Sequence, residues 1–173
     1  MTLPSWAVVG ANRRAHIERV AALLDGWAGA MGVAPGERAR WARAAWLHDA
    51  LRDAPGLDEL AHGPAAADRA AADGETDAGV LDAVRYHSVG WARWDAVGRM
   101  LYLADYLEPG RRFEAEERRA IADRVPADPD GALREVTRRR IERALRSGWA
   151  LRAETVELWN AIAPRGQRGR ADG

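Results

Sequence analysis

The sequence contains no cysteine and no lysine. The first absence excludes disulfides, thiolate metal ligands and cysteine nucleophiles, and it leaves the redox compartment open. The second means that all 26 basic residues are arginine, so any phosphate clamp must be a planar guanidinium that stays charged near neutral pH. An excess of either charge sign is missing too. The 26 acidic residues balance the basic ones to a net charge of zero, which gives no overall field for nucleic acid or an anionic membrane. No run approaches the roughly 18 apolar residues of a membrane span. The opening "MTLPSWAVVGANRR" lacks a signal-peptide pattern. The expectation is a cytoplasmic protein that engages neither nucleic acid nor membrane. Alternating strand patterns are absent as well.

What the chain does have is helical periodicity in nearly every segment, over a length of 173 residues that suits one domain. "NRRAHIERVAALLDGWAGAMG" places His16, Val20, Leu23 and Trp27 on one face, with Gly32 as a stop. Pro35 suits the first turn of a second helix running through Trp41, Ala45 and Trp46 to His48 and Asp49. "LRDAPGLDELAHGP" is a break, and "AAADRAAAD" a third helix ending at Gly74. A fourth, with Thr76 as its expected N-cap, aligns Val80, Val84 and His87. "DAVGRMLYLADYLEP" aligns Val97, Leu101 and Asp105 and stops at Pro109. Two more helices are expected over about 129 to 147 and 151 to 162. The architecture expected is an all-α bundle of about seven helices, forming a single domain over 1–163 with a disordered polar tail over 164–173.

The ionisable residues of this pattern are the informative ones. The chain has four histidines, His16, His48, His62 and His87. Each has an ordinary reading alone, as does Asp105 as a salt-bridged carboxylate or Asp49 as a cap or a partner of Arg52. Taken together they lie on the inward faces or inner ends of separate helices. A cluster of unsatisfied imidazoles and carboxylates in an apolar interior would be strongly destabilising. A divalent metal offsets that penalty, because neutral imidazole nitrogen and carboxylate oxygen are its natural ligands, and such ligands project inward from the facing helices of a bundle.

In order, "AAWLHDA", "HGPAAA", "VLDAVRYHSVG", "MLYLADYLEPGRRF" and "TVELWN" resemble the HD-domain metal-dependent phosphohydrolases, and among them the symmetrical diadenosine-tetraphosphate hydrolases, over about Asn12 to Ala161. The resemblance implies an all-helical HD domain with two divalent metal ions, iron first and manganese, nickel, cobalt or zinc as alternatives. His16, His48, Asp49 and Asp105 would hold one metal, and Asp49 would bridge to a second held by His62 and His87. Asp49, His48 and Arg111 would carry the catalysis, Arg111 as a phosphate clamp with Arg112 its rival on geometry. Around the nucleotide would lie Arg13 with its neighbour Arg14, His62, His87, Ser88 and Asp105. Arg111, Thr155 and Asn160 would complete that set. Trp91 is a candidate base platform at the pocket rim, while Trp46 is expected to pack the core. This sequence departs from the family pattern in a shorter stretch between Asp49 and His62, in Arg52 where lysine is common, and in "HSVG" for "HTTG".

The implied reaction is metal-dependent hydrolysis of a dinucleoside polyphosphate at its centre, giving two ADP. Two metals about 3.5–4 Å apart would activate and align a water and neutralise the equatorial phosphate oxygens. The alternatives are a phosphohydrolase for another nucleotide and a nucleotide-sensing module without turnover. A homodimer is compatible with the sequence.

Overall fold

The computed structural model describes residues 1–111 and 113–164. Arg112 and the tail from 165 onward lie outside the described residues, as do the expectations that fall on them. Every regular element among those residues is a helix: α1 (Ala11–Ala30), α2 (Pro35–Leu47), α3 (His62–Ala72), α4 (Ala78–Tyr86), α5 (Ala96–Leu107), α6 (Ala115–Arg124), α7 (Pro129–Arg146) and α8 (Ala153–Ile162). None is long and apolar enough to cross a membrane. The count is eight rather than seven. The added helix, α6, reads AEERRAIADR and buries only Arg118, Ile121 and Ala122, a face too narrow to stand out as a helical period.

Local chemistry sets the helix ends. Pro35 occupies the first turn of α2, and Gly32, at φ +64°, closes the turn after α1. The N-cap of α4 is Asp77, not Thr76: its carboxylate accepts from the Val80 N–H at 3.2 Å. The same carboxylate receives Arg40 Nε at 2.7 Å and Arg43 Nη2 at 3.2 Å, contacts a threonine hydroxyl could not make. The Arg40 bond holds the Asp77 pKa down at about 2. Arg40 also reaches Asp95 at 2.7 Å, and Asp95 caps α5 through the Val97 N–H at 3.0 Å. One guanidinium on α2 thus ties down the starts of two neighbouring helices.

Helix α5 is the axis of the bundle. Ten of its twelve residues, from Val97 to Leu107, are buried, and it packs against α1, α2, α4, α6 and α7. Gly98 is needed there because a Cβ would meet Trp94 Cδ1 at 2.1 Å. The Trp27 indole N–H of α1 donates to the Ala122 carbonyl of α6 at 3.1 Å, locking those two helices together. At the start of α3, a Cβ on Gly63 would lie 3.0 Å from the carbonyl oxygens of Val84 and Arg85 and 3.2 Å from His87 Cε1. The missing side chain lets α3 sit on the end of α4, which sets His62 beside His87. In this way α1, α5, the C-terminal ends of α2 and α4 and the start of α3 meet at one point.

Candidate metal centre

His16, His48, Asp49, His62, His87 and Asp105 are all buried, none more than 7% exposed. Three of the four imidazoles are fixed by one local device. His48 Nδ1 donates to the Ala45 carbonyl at 2.8 Å, His62 Nδ1 to Glu59 at 2.7 Å and His87 Nδ1 to Val84 at 2.8 Å, each reaching back three residues. His16 Nδ1 instead donates to Glu108 Oε1 at 3.2 Å. With every Nδ1–H so engaged, the tautomer assigned from these partners leaves an Nε2 lone pair on each ring.

Those lone pairs converge on Asp49. Its Oδ1 lies 3.0 Å from His62 Nε2 and 3.4 Å from His87 Nε2. Its Oδ2 lies 3.6 Å from both His16 Nε2 and His48 Nε2. Asp105 Oδ1 joins the second group, 3.2 Å from His16 Nε2. Two sets of donors, His16–His48–Asp49 and Asp49–His62–His87, could each hold an ion, and Asp49 offers one oxygen to each. The fit to metal rests on the nitrogens themselves. His62 Nε2 and His87 Nε2 stand 3.0 Å apart, and His16 Nε2 and His48 Nε2 3.4 Å apart. Two lone pairs at such distances repel unless a cation lies between them. Separations of this size suit neighbouring ligands around an ion bonded at roughly 2.0–2.2 Å. A proton serves poorly at His48, where complete burial pushes the pKa down to about 4.

The carboxylates are ionised. Burial raises the pKa of Asp49, but the imidazoles of His48, His62 and His87 packed around it outweigh that and hold the group well below its usual range. Asp105 is likewise held low, against its burial, by the His16 imidazole and the guanidiniums of Arg140 and Arg111. Arg13 Nη1 reaches Asp49 Oδ2 at 2.7 Å, whereas Arg52 pairs with Glu59 at 3.2 Å instead of with Asp49. Arg111 Nη2 lies 3.0 Å from Asp105 Oδ1.

Asp49, His62, His87 and Asp105 floor a cavity of about 950 Å³ that is lined by seven arginines against four carboxylates. Of the residues expected around a nucleotide, Arg13, His62, His87, Ser88, Asp105, Arg111 and Thr155 line it. Ser88 Oγ lies 3.1 Å from His87 Nε2, and Thr155 Oγ1 donates to the Val89 carbonyl at 2.6 Å. Asn160 and Arg14 are exposed and stand apart from the cavity. Five residues beyond Thr155 on α8, Asn160 is turned about 140° away. Trp91 is also elsewhere, stacked on Tyr86 with centroids 4.8 Å apart and packed on the core. Trp46 is only half-buried and stands outside the core cluster it was expected to join.

Three contributors escaped the sequence reading. Glu108, 2% exposed, holds His16 and accepts from Arg19 Nε and from the Gly110 N–H at 2.7 Å. Arg140 donates to Asp105 Oδ2 at 2.9 Å with its guanidinium 4.4 Å over the Tyr102 ring. Trp149 stands 57% exposed on the cavity wall.

A helical bundle with imidazoles and aspartates on facing helices places the protein in one structural class. Residues 13–110, more than half of the chain, match the HD domain, and the chain belongs to the HD-domain family. A symmetrical bis(5'-nucleosyl)-tetraphosphatase from Halalkalibacterium halodurans is 28% identical over 106 residues, 61% of this chain and 56% of that protein. One of the same name from Bacillus subtilis is 39% identical over 51 residues, 29% of this chain and 27% of that protein. The matched stretches thus span little more than half of one relative's length and about a quarter of the other's. In structure, the chain is similar to a predicted HD superfamily hydrolase involved in NAD metabolism from Clostridium acetobutylicum. The TM-score is 0.74 at 22% identity, covering 89% of this chain and 90% of that one, a likeness of fold.

Proposed function

We propose that the protein is a metal-dependent phosphohydrolase that cleaves diadenosine tetraphosphate symmetrically to two ADP. The observation that carries this reading is the position of Asp49, at the floor of an arginine-walled cavity and split between two pairs of imidazole nitrogens. The arginine excess selects a polyanion. The names of the two relatives supply the substrate class.

His16, His48, Asp49 and Asp105 would hold one ion and Asp49, His62 and His87 the other. Iron stands first, and manganese, nickel, cobalt and zinc also suit the donors. When bound, the ions supply Lewis acidity, acidifying water and offsetting charge on phosphate oxygens. The chain's own residues supply the positioning. The backbone carbonyls behind His48, His62 and His87, and the Glu108 carboxylate behind His16, keep the rings from turning. Arg111 lies 43% exposed beside Asp105, free to swing its planar fork onto a phosphate two oxygens at a time. Arg13 approaches from the Asp49 side, so guanidiniums flank the scissile region from both directions. Water adds across one P–O–P linkage, its hydroxyl going to phosphorus and its proton to solvent. The departing ADP is a weak base that leaves as an anion, and the arginines screen its charge.

The test is incubation of metal-loaded protein with diadenosine tetraphosphate and separation of products by anion exchange. ADP as sole product supports the reading. ATP plus AMP, or turnover only of other nucleotides, contradicts symmetrical cleavage of this substrate. Binding of nucleotides with no hydrolysis under any divalent metal would make the protein a sensor instead.

A further inference from the structure

We infer that Arg140 on α7 is a positioning residue for the metal centre. It holds one oxygen of the Asp105 carboxylate so that the other faces an ion, and it allows Arg111 to leave Asp105 without stranding a buried charge. The inference rests on the reading of His16, His48, Asp49 and Asp105 as ligands of one ion, and adds what keeps Asp105 turned toward the other three.

Arg140 occupies a position on α7 that burial would reserve for an apolar side chain. The inward stripe of that helix runs through Ala132, Leu133, Val136 and Thr137, all buried. Arg140 lies four residues past Val136 and three past Thr137, so it continues the stripe. A charged group there needs partners, and α5 supplies them. Tyr102, Asp105 and Tyr106 share one face of α5, with Asp105 three and Tyr106 four residues past Tyr102. The Arg140 guanidinium lies 4.4 Å over the Tyr102 ring and 5.2 Å from that of Tyr106. Both rings are buried, and Arg118 of α6 packs 3.8 Å over the second. From this seat Arg140 Nη2 donates to Asp105 Oδ2 at 2.9 Å and Nη1 to the Ser88 carbonyl at 3.4 Å. Its Nε is buried and, among the described residues, has no partner. Buried donors are normally satisfied, so the guanidinium is placed for Asp105 and not for its own donors.

The two oxygens of Asp105 thereby take different roles. Oδ1 lies 3.2 Å from His16 Nε2, on the side of the other metal donors. It is also the oxygen that Arg111 Nη2 touches at 3.0 Å. The Arg111 side chain is 43% exposed and that of Arg140 only 20%. An ion arriving at Oδ1 therefore competes with Arg111 and leaves the Arg140 bond whole. Arg111 is the exchangeable cation and Arg140 the fixed one. Without Arg140, Oδ2 would lose its donor, a strong penalty for a buried charged group, and the carboxylate could turn to place either oxygen on Arg111.

Equilibrium dialysis of Mn²⁺ against the intact protein tests this without relying on turnover. The parent should bind two ions. Arg140→Met keeps apolar packing over the tyrosines and removes the fork. It should weaken one ion about 10- to 100-fold, the range for loss of a partner behind a metal ligand, and leave the other within about threefold. Arg140→Lys keeps a cation opposite Oδ2 without the planar fork, and should weaken the same ion roughly 3- to 10-fold; it carries the test if the methionine variant does not fold. Arg111→Met should retain both ions. An Arg140 variant that folds and binds both ions within about twofold of the parent overturns the positioning role and leaves the metal centre standing. Equal weakening of both ions also overturns it, since a general loss of structure would act on both. A parent that binds no Mn²⁺ overturns the metal reading itself, and this inference with it.

Discussion

Replacing Glu108 with glutamine removes one charge from beneath the candidate metal centre without changing its shape. Glu108 is buried and accepts from His16 Nδ1 at 3.2 Å, from Arg19 Nε and from the Gly110 N–H at 2.7 Å. Hydrogen bonds to a charged group contribute about 1.5–3 kcal/mol and neutral ones about 0.5–1.5, so each bond retained in Glu108→Gln weakens by about 1 kcal/mol. Arg19 is itself 37% exposed, and its pair is discounted for solvent screening. The glutamine amide must also turn its NH2 toward one of three donors. The net expectation is about 2 kcal/mol lost, or about 4–8 °C in Tm for a domain of this length. His16 would then lack the carboxylate that orients it, and metal affinity should fall 10- to 100-fold. The pH dependence has a definite sign. Burial raises the Glu108 pKa, but the bonds from His16, Arg19 and Gly110 bring it down to about 2 from 4.5. A depressed carboxylate pKa stabilises the fold fully above the unfolded value and loses that contribution as the pH falls toward the folded one. The gap between parent and Glu108→Gln in chemical denaturation of the metal-free protein should therefore close as the pH falls from about 4.5 to 2. Equal melting and equal metal affinity of the two proteins would refute the role given to Glu108.

Arg111→Ala should keep both ions and raise KM for the polyphosphate by about tenfold, as loss of one charge-assisted contact implies; loss of metal in this variant would show that Arg111 serves the ligand shell instead. Gly90→Ala should destabilise by about 2–4 kcal/mol in urea unfolding, because Gly90 sits at φ +89° and a Cβ would meet Leu158 Cδ2 at 2.6 Å. A change below 0.5 kcal/mol, on the order of an ordinary surface substitution, would contradict that. Asp77→Ala should lose about 1–2 kcal/mol through the α4 cap and its arginine pairs, with Asp77→Ser recovering the cap alone.

Among the candidate metal donors, His16, Asp105 and His87 were legible in the sequence because each sits at a phase of its helix that a 3.6-residue period exposes: His16 with Val20, Asp105 with Leu101, His87 with Val84. What lay beyond reach depended on partners distant in sequence. Helix α7 carries Arg138, Arg139, Arg140 and Arg143 in close succession. Nothing in that run singles out Arg140, which is set apart only by packing over Tyr102 beside Asp105. Trp149 was one of eight tryptophans, and only the turn at Gly148 puts it on the cavity. Asp77 prevailed over Thr76 as cap because Arg40 and Arg43 on α2 required a charge there. Glu108 left a signal that was available: an acidic residue directly after the apolar run of α5, and before Pro109, had to be buried with partners. Asn160 lies off the cavity by helical phase, since the face of α8 that turns inward is set by Thr155 and Leu158.

The account turns on Asp49 serving two ions at once. Metal content per chain, measured on the parent and on Asp49→Ala after identical loading and desalting, tests this most directly. The account predicts two ions per chain in the parent and fewer than one in a folded Asp49→Ala protein that has lost its activity. A parent holding a single ion, or an Asp49→Ala protein that keeps two ions and its turnover, would contradict it.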